Sequence, residues 1–318
     1  MISKGIIVIP TQGFANRMRM LISSIIYAKS LNLSLLVCWI ASEECNIELN
    51  EIFTNDMFST ISFDDIQNTN YCYFGRVHTN QIFDKIDDVI NDTEHKYEYV
   101  LLEGGHEFTN KQRLDFLSRK KSTYNELSFN DTINTKLNDF IQNKIVKNKK
   151  YIGVHYRDVI NKYDEMDIKN NDVVNFTKNS PIKKFSEIIN KIKDDREFII
   201  VSNSNKIYET LVNEFPNRKF INSPSESYNR NSKDDMINSI VDFLILGECD
   251  LIVGSYFSSF SDEATFINFI PKITPLSDDL HNNITKTVQN YHCLNYSFID
   301  AIAALNYNDK IFLENINI

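Results

Sequence analysis

The amino-acid sequence predicts an α/β protein of two lobes, each built on a parallel sheet. The chain has 318 residues, which is enough for two domains of about 150 residues each. Short apolar runs alternate with stretches of helical periodicity, and this alternation is typical of parallel sheets covered by helices on both faces. A solvated charged run at 147–150 precedes the most regular part of the chain. We therefore predict lobes at residues 1–148 and 149–318.

The beginning of the chain has the pattern of a β-α-β unit. Ile6–Ile9 is a short apolar run suited to a buried parallel strand. Apolar residues then recur at helical spacing, which predicts a helix from Asn16 to Leu31. Leu33–Trp39 is the next predicted strand, Tyr99–Leu102 a further strand, and 132–146 a polar helix.

The second half of the chain alternates strands and helices regularly, as expected for a parallel sheet. Its first helix is predicted to open with Ser180 as the cap and Pro181 in the first turn. The predicted strands are Tyr151–His155, Glu197–Val201, Lys219–Ile221 and Leu251–Val253, and the predicted helices are 182–193, 205–214, Asp234–Glu248 and Ser259–Phe269.

Composition and charge exclude several classes of function. The formal net charge of −9 provides no general basic field for nucleic acid, so any phosphate binding must come from local basic groups. No apolar stretch is long enough to span a bilayer or to act as a secretory leader, and we expect a cytoplasmic protein. The five cysteines contain no C-x-x-C pair, which argues against a disulfide framework and a zinc cluster.

The first candidate segment, Thr11–Arg17, lies between the first strand and the first helix. Gly13 permits an unusual backbone angle or the close approach of a ligand, and Phe14 follows it. Asn16 and Arg17 lie at the helix start, where free N–H groups and the helix dipole favour an anion. The alternative is a plain turn with an N-cap Asn. The segment is not G-x-G-x-x-G, so the dinucleotide fingerprint is absent.

The second candidate segment, Val154–Asp158, follows the strand that opens the second lobe. Ligands of open α/β sheets bind beyond the carboxyl ends of the strands, and this places Arg157 at such an end. A guanidinium is a forked, permanently charged donor that suits phosphate oxygens. The alternative is a surface pair of Arg157 with Asp158 and a core histidine at His155.

The third candidate segment, Asp242–Ser261, runs from a helix through a buried strand into a serine-rich helix start. Gly254 interrupts the strand, and serine hydroxyls with free N–H groups at a helix N-terminus suit a diphosphate. An ordinary Ser N-cap is the alternative, and it accounts for one serine rather than for the cluster.

These three segments, in this order, resemble the fucosyltransferase superfamily, which includes protein O-fucosyltransferases, α-1,6-fucosyltransferases and nodulation fucosyltransferases. Gly13–Asn16 is similar to the family's N-terminal G-x-x-N-type turn. His155–Arg157 is similar to its H-x-R motif, whose Arg binds the donor diphosphate and is essential to catalysis. Asp242–Gly247 and Ser258–Ser261 resemble the segment that holds the nucleotide.

The resemblance implies a GT-B fold, in which two Rossmann-like lobes face a crevice, with the donor on the second lobe and the acceptor on the first. It implies inverting transfer from GDP-fucose to a glycan, lipid-linked sugar or protein acceptor, without metal or other cofactor. It also implies that Asp242 lies near the guanine and that Ser259 and Phe260 contact the phosphates. Arg157 and the hydroxyls of Ser258 and Ser259 would stabilise the leaving diphosphate.

One departure from the family and one missing group bear on the chemistry. Many members have a second Arg where this chain has Asp158. No Asp-x-Asp motif occurs, which agrees with transfer that needs no metal. An acceptor hydroxyl can need a base. Four carboxylates are candidates for this base, and the sequence does not choose among them. Asn16 is favoured instead as a contact to the donor or the acceptor. The candidate bases are Asp158, Asp164, Glu165 and Glu107.

Four other functions compete with this prediction. A GT-B transferase with another GDP- or UDP-sugar shares every feature above. A non-catalytic nucleotide- or glycan-binding protein of the same fold is opposed by Arg157 and the serine cluster. A nicotinamide dehydrogenase and a phosphoryl transferase are disfavoured, because neither glycine-rich phosphate loop occurs.

Overall fold

The computed structural model describes residues 5–54, 56–75, 86, 88–91, 96–106, 113–158, 175–193, 195–225 and 229–280. The chain divides into two compact units. We call Met1–Leu137 with Tyr228–Val241 the N-terminal unit, and Asn138–Ser227 with Asp242–Ile318 the C-terminal unit. The lobe boundary between residues 148 and 149 stays a prediction.

The N-terminal unit contains a five-stranded parallel sheet in the order β3-β2-β1-β5-β4. The central strand β1 is buried at every position, which is why its sequence is a continuous apolar run rather than an alternating one. The strands are β1 Gly5–Pro10, β2 Ser34–Val37, β3 Ser59–Thr60, β4 Tyr71–Gly75 and β5 Tyr99–Gly104.

Helices connect and follow these strands. Helix α1 is buried along most of its length, with Met18, Leu21 and Ile25 at 0–1% exposure. The apolar spacing that predicted this helix therefore corresponds to its buried face. The helices of the first half of the chain are α1 Phe14–Leu31, α2 Leu49–Ile52, α3 Phe63–Ile66, α4 Arg113–Glu126 and α5 Asp131–Lys144.

The C-terminal unit contains a second five-stranded parallel sheet, in the order β10-β9-β6-β7-β8. Its core joins β6 and β7 to the helices through fully buried Phe185, Phe198 and Leu251. The strands are β6 Tyr151–Tyr156, β7 Glu197–Ser202, β8 Phe220–Asn222, β9 Leu251–Gly254 and β10 Lys272–Ile273. The helices of the second half of the chain are α6 Phe176–Asn179, α7 Ile182–Lys191, α8 Lys206–Glu214, α9 Lys233–Gly247 and α10 Ser259–Asn268.

Two parallel sheets with connecting helices confirm the predicted α/β class. The sequence missed β3, β4 and β10, because two of them have only two residues and the edge strand β4 is half-exposed without clear alternation. The predicted cap of α7 was wrong by one position. Pro181 is the N-cap, and the Ser180 hydroxyl instead donates to the Pro275 carbonyl oxygen and accepts from the Tyr256 N–H.

Two further observations concern the described part of the chain. None of its helices is long and apolar enough to cross a membrane. Its four cysteines, Cys38, Cys45, Cys72 and Cys249, are unbonded, while Cys293 lies outside the described residues.

Candidate functional site

In the C-terminal unit, the second and third sequence segments meet at the carboxyl edge of the sheet. Strands β6 and β9 are neighbours, with His155 opposite Gly254. The Arg157 N–H donates to the Ser255 Oγ at 2.9 Å, and the Ser255 N–H donates to the His155 carbonyl oxygen at 3.0 Å. The backbone at Arg157 is thereby fixed to the loop that leads into α10.

The Arg157 guanidinium lies over an aromatic ring. Its Cζ is 5.6 Å from the centroid of the Phe176 ring, at the start of α6. A cation over a ring face is attracted by the ring quadrupole, so Phe176 favours one orientation of the guanidinium. Sequence reasoning missed Phe176, because no local pattern links it to a residue so distant in the chain.

His155 is buried beside this arginine. The residue is 6% exposed, and its ring stacks on Phe260, with centroids 5.1 Å apart and planes 22° apart. Burial, with the charges of Lys272 and Arg157 adding to it, lowers the pKa of His155 to about 3. The imidazole is thus neutral near pH 7. Its Nδ1 is buried without a hydrogen-bond partner within the described residues.

The start of α10 is an open helix N-terminus at the same sheet edge. Ser258 is the N-cap residue, yet its side chain makes no capping hydrogen bond. The N–H groups of a first helical turn have no partner inside the helix, so they are suited to an anion. The simple Ser-cap alternative therefore does not describe this helix start. Ser259 and Phe260 occupy its first two positions.

Gly254 allows α10 and β10 to pack closely on β9. A Cβ at this position would lie 2.7 Å from the Ser261 Oγ and 2.8 Å from the Lys272 Cε. Gly254 ends the strand as expected, and the reason is space rather than an unusual backbone angle, because none of the described glycines has a positive φ.

Lys272 is a second cation near the site, and sequence reasoning missed it. Its side chain is 11% exposed. Its Nζ donates to the Ser255 carbonyl oxygen at 3.2 Å and pairs with the Asp262 carboxylate in the first turn of α10. Lys272 also contributes to the lowered pKa of His155, so its charge acts at this edge. A single lysine at a sheet edge carries no sequence signal.

Asp242 on α9 is a buried carboxyl group with one oxygen left open. The residue is 1% exposed, and its Oδ2 accepts from the Ser223 hydroxyl at 3.2 Å, just after β8. Its Oδ1 has no partner at regular hydrogen-bond geometry within the described residues, although the Ser225 hydroxyl lies near enough to act on the carboxylate. Burial raises the pKa of Asp242 to about 7, with the hydroxyls of Ser225 and Ser223 opposing the shift. The sequence did not identify either serine.

Asp158 is buried and engaged within the fold. Its Oδ2 lies 2.8 Å from the Lys206 Nζ. Its N–H donates to the Asn203 Oδ1 at 2.7 Å, and the Asn203 amide donates to the Asp158 carbonyl oxygen at 2.9 Å. These contacts join the loops after β6 and β7. Its role as a base stays a prediction, and the other candidate bases, Asp164, Glu165 and Glu107, lie outside the described residues.

In the N-terminal unit, the turn after β1 differs from the expected one. The left-handed residue is Gln12, with φ 69°, whereas Gly13 has φ −69°. The unusual backbone angle predicted for Gly13 was therefore wrong. The Gln12 Oε1 accepts from the Asn16 amide at 2.8 Å, and it packs so closely on Gly105 that a Cβ there would lie 2.7 Å from it. The amide of Asn16 is thus held in place by Gln12.

The glycine that precedes α1 leaves open space at the helix start. Among the described residues, a Cβ at Gly13 would meet only the Glu44 carbonyl oxygen, at 3.9 Å, so a larger residue fits there sterically. Helix α1 begins at Phe14, which is 4% exposed, so Asn16 lies inside the first turn rather than at the cap. The close approach of a ligand at Gly13 stays a prediction.

Arg17 is surrounded by protein. It is 2% exposed, and its guanidinium lies 4.9 Å from the Trp39 ring centroid. Its Nε donates to the Gln12 carbonyl oxygen at 2.7 Å, and its other nitrogens donate to the Ile40 carbonyl oxygen and the Ser42 hydroxyl at 2.7 and 2.8 Å. These contacts give Arg17 a structural role, and phosphate binding by this residue stays a prediction.

Comparison with known proteins shows where this fold occurs. No family model and no curated protein matches the chain. Among solved structures it is similar to the fucosyltransferase NodZ from Bradyrhizobium, with a TM-score of 0.55 and 13% identity over 82% of this chain and 92% of that one. It is also similar to POFUT1 in complex with GDP, with a TM-score of 0.53 and 14% identity over 86% of this chain and 98% of that one.

A third similar structure is that of a variant of Arabidopsis thaliana FUT1 in complex with GDP. The TM-score is 0.56 at 13% identity, over 85% of this chain and 70% of that one. At such identities the likeness establishes the fold. The predicted GT-B fold and the predicted resemblance to the fucosyltransferases are therefore confirmed at the level of the fold.

Proposed function

We propose that the protein is an inverting, metal-independent glycosyltransferase that moves fucose from GDP-fucose to a hydroxyl acceptor, which is a glycan, a lipid-linked sugar or a protein. The fold supports a nucleotide-sugar transferase, since POFUT1 and Arabidopsis FUT1 have it and their structures contain GDP. Fold alone does not define a function, so the proposal depends on the groups at the carboxyl edge of the C-terminal unit's sheet.

The observation that carries the proposal is the buried carboxyl group of Asp242, whose Oδ1 has no partner at regular hydrogen-bond geometry among the described residues. An ionised carboxylate only accepts hydrogen bonds. Guanine presents two neighbouring donors, its N1–H and its exocyclic amino group, whereas uracil and adenine place acceptors beside their donor. A carboxylate with an oxygen to spare therefore suits guanine better than either of the other bases. The cost of a buried, unpaired carboxylate falls when such a donor arrives.

The diphosphate is proposed to lie between Arg157 and the start of α10. When the bond between the sugar carbon and the phosphate oxygen breaks, negative charge grows on the leaving diphosphate. Arg157, the first-turn N–H groups of α10 and the hydroxyls of Ser258 and Ser259 would stabilise that charge. Removing one such preorganised donor typically slows turnover about 10²- to 10³-fold. Lys272, although paired with Asp262, also acts electrostatically at this edge.

We also propose Asn16 as a contact to the donor or the acceptor. Its amide is held by Gln12, whose left-handed backbone costs about 1–3 kcal/mol and so is typical of functional sites. The space at Gly13 would let a ligand approach the helix start.

The first test is calorimetric titration with GDP, UDP, GDP-fucose, GDP-mannose and NAD in the presence of EDTA. We expect GDP and GDP-fucose to bind with similar heats in EDTA and in Mg²⁺, and UDP and NAD not to bind. Asp242→Asn should weaken GDP binding about tenfold or more, because an amide cannot accept at both atoms. Preferred binding of UDP compounds would overturn the guanine assignment, and absence of any binding would overturn the function.

Arg157→Ala has a matched control in the same unit. Arg218 also lies over an aromatic ring, that of Phe198 at 5.4 Å, but it precedes β8 and so lies at the opposite sheet edge. We expect Arg157→Ala to weaken binding of GDP severalfold or more and Arg218→Ala to leave it unchanged. Equal effects of the two substitutions would contradict the placement of the diphosphate.

A further inference from the structure

The loop between β9 and α10 exposes a phenylalanine in an unfavourable backbone conformation. Phe257 has φ 58° and is 42% exposed, although Ser255 and Ser258 beside it are 0% and 5% exposed. The left-handed region is normally occupied by Gly or Asn, because a Cβ crowds the backbone there. A bulky side chain that is both strained and directed to solvent gains little from the fold.

Packing within the described residues accounts for only part of this ring. Its aromatic neighbour is Tyr256, with ring centroids 6.0 Å apart. Gly or Asn at this position would adopt the same backbone at lower cost. A strained residue beside a candidate site is therefore best explained by a partner that covers the exposed part of the ring.

The order of the strands indicates which part of a nucleotide sugar would reach this ring. Asp242 bonds to Ser223 just after β8, Arg157 follows β6, and α10 follows β9. The sheet order β9-β6-β7-β8 places β8 two strands from β6, about 10 Å at the usual strand spacing. The base at Asp242 and the diphosphate at Arg157 thus define a direction, and the sugar beyond the diphosphate falls on the β9 side.

Two buried polar atoms are consistent with a ligand at this edge. The Asp242 Oδ1 and the His155 Nδ1 are both without a hydrogen-bond partner in the described part of the chain, and their residues are 1% and 6% exposed. Buried polar groups are normally paired, so an external partner is expected at each of them.

From these observations we infer that Phe257 is the platform for the hexose of the nucleotide sugar, with its ring against the C–H face of the pyranose. This inference rests on the proposed function and names the residue that recognises the sugar. A hexose presents apolar C–H groups on one face, and a 6-deoxyhexose adds a methyl group. Both would cover aromatic surface that is now exposed to water. Phe257 would therefore favour GDP-fucose over GDP-mannose, whose C6 carries a hydroxyl.

The test compares GDP with GDP-fucose for wild type and Phe257→Gly. Glycine removes the ring and suits the left-handed backbone, so the loop should keep its conformation. We expect the Kd for GDP to stay unchanged and the Kd for GDP-fucose to rise about three- to tenfold, since Phe257 is 42% exposed and only that part is left for the sugar to cover. Phe257→Tyr, which keeps the ring, should bind GDP-fucose like wild type.

Phe269→Gly is the matched control. Phe269 also has a left-handed backbone, with φ 57°, and is 53% exposed, but it lies at the other end of α10. Its substitution should relieve the same strain and leave both affinities unchanged. Both variants should melt at the wild-type temperature or about 1–3 °C higher.

Four results would overturn the inference. Equal losses of GDP and GDP-fucose affinity would place the ring on the nucleoside, and no loss of either would remove any role in binding. A much lower melting temperature for Phe257→Gly than for Phe269→Gly would make the ring a packing residue. If the wild-type protein binds neither GDP nor GDP-fucose, the proposed function itself is wrong. If wild type and Phe257→Gly bind both nucleotides with equal affinity, only the role of Phe257 is wrong.

Discussion

The two strand-to-helix regions that the sequence marked as anion sites differ in how their polar groups are satisfied. In the turn after β1, Arg17 is buried and bonded to the Gln12 and Ile40 carbonyl oxygens. At the carboxyl edge of the second sheet, the Asp242 Oδ1 and the His155 Nδ1 are buried without partners among the described residues. An arginine at a helix start can therefore have a structural role instead of binding an anion. Buried polar atoms left unpaired are the stronger indication of a ligand.

Arg17→Ala should separate these two kinds of arginine. We expect it to lower the free energy of unfolding by about 2–4 kcal/mol, because a buried guanidinium is lost together with its hydrogen bonds to three partly buried acceptors. Arg157→Ala should lower the stability by less than Arg17→Ala does, while weakening GDP binding. Urea denaturation of both variants provides the measurement. Similar losses of stability would show that the two arginines do not differ in this way.

The affinity for GDP should depend on pH through Asp242. In the protein without nucleotide, the pKa of Asp242 is about 7. Because binding to guanine requires the carboxylate, the affinity for GDP should fall by up to about tenfold for each pH unit below 7. Between pH 7.5 and 5.5 the Kd should rise about 25-fold, and above about pH 8 it should be nearly constant. Calorimetry at four pH values measures this, with Asp242→Asn as the control. A wild-type profile as flat as that of the variant would contradict the assignment.

The stability of the folded protein should depend on pH in the opposite direction: protonation of Asp242 weakens GDP binding but stabilises the fold. Its folded pKa of about 7 is above the ordinary value of 3.8, so the folded state favours the protonated form. The contribution of Asp242 to stability is therefore fully present below about pH 4 and is lost as the pH rises through 7. Asp242→Asn cannot ionise, so it avoids the cost of a buried carboxylate, although its buried amide offsets part of that gain. We expect it to be about 1–3 kcal/mol more stable than wild type at pH 8. Thermal melts should show this difference shrink towards pH 5, and a difference that stays constant between pH 5 and 8 would show that Asp242 does not titrate in this range.

The smallest expected effect concerns Phe176. Phe176→Leu keeps an apolar side chain under Arg157 but removes the ring quadrupole, so the Kd for GDP should rise about two- to fivefold. Phe176→Tyr should bind GDP with wild-type affinity. In an Arg157→Ala background, Phe176→Leu should have no further effect on the Kd. An unchanged Kd for Phe176→Leu alone would show that the ring does not orient the guanidinium.

The positions of strands and helices could be predicted from the sequence where the element is buried along its whole length. Strand β6 and helix α1 were predicted within a few residues, because burial on all sides leaves a continuous apolar run or a wide helical stripe. The short edge strands β3 and β10 were missed, because two residues do not establish a period. Motif residues such as Arg157 and Asp242 were found by type and position, whereas Phe176, Lys272 and Ser223 reach them from distant parts of the chain.

The sequence by itself determined the α/β class, the parallel alternation and the candidate segments, since all three depend on local periodicity and on residue type at strand ends. Only the tertiary structure decided which polar groups are satisfied inside the protein. It showed that Arg17 is held by backbone carbonyls and that Gln12, rather than Gly13, has the left-handed backbone. It also showed that the Asp242 carboxyl has an open oxygen. The physical reason is that hydrogen bonding and desolvation depend on neighbours that are distant in the chain, which no local pattern records.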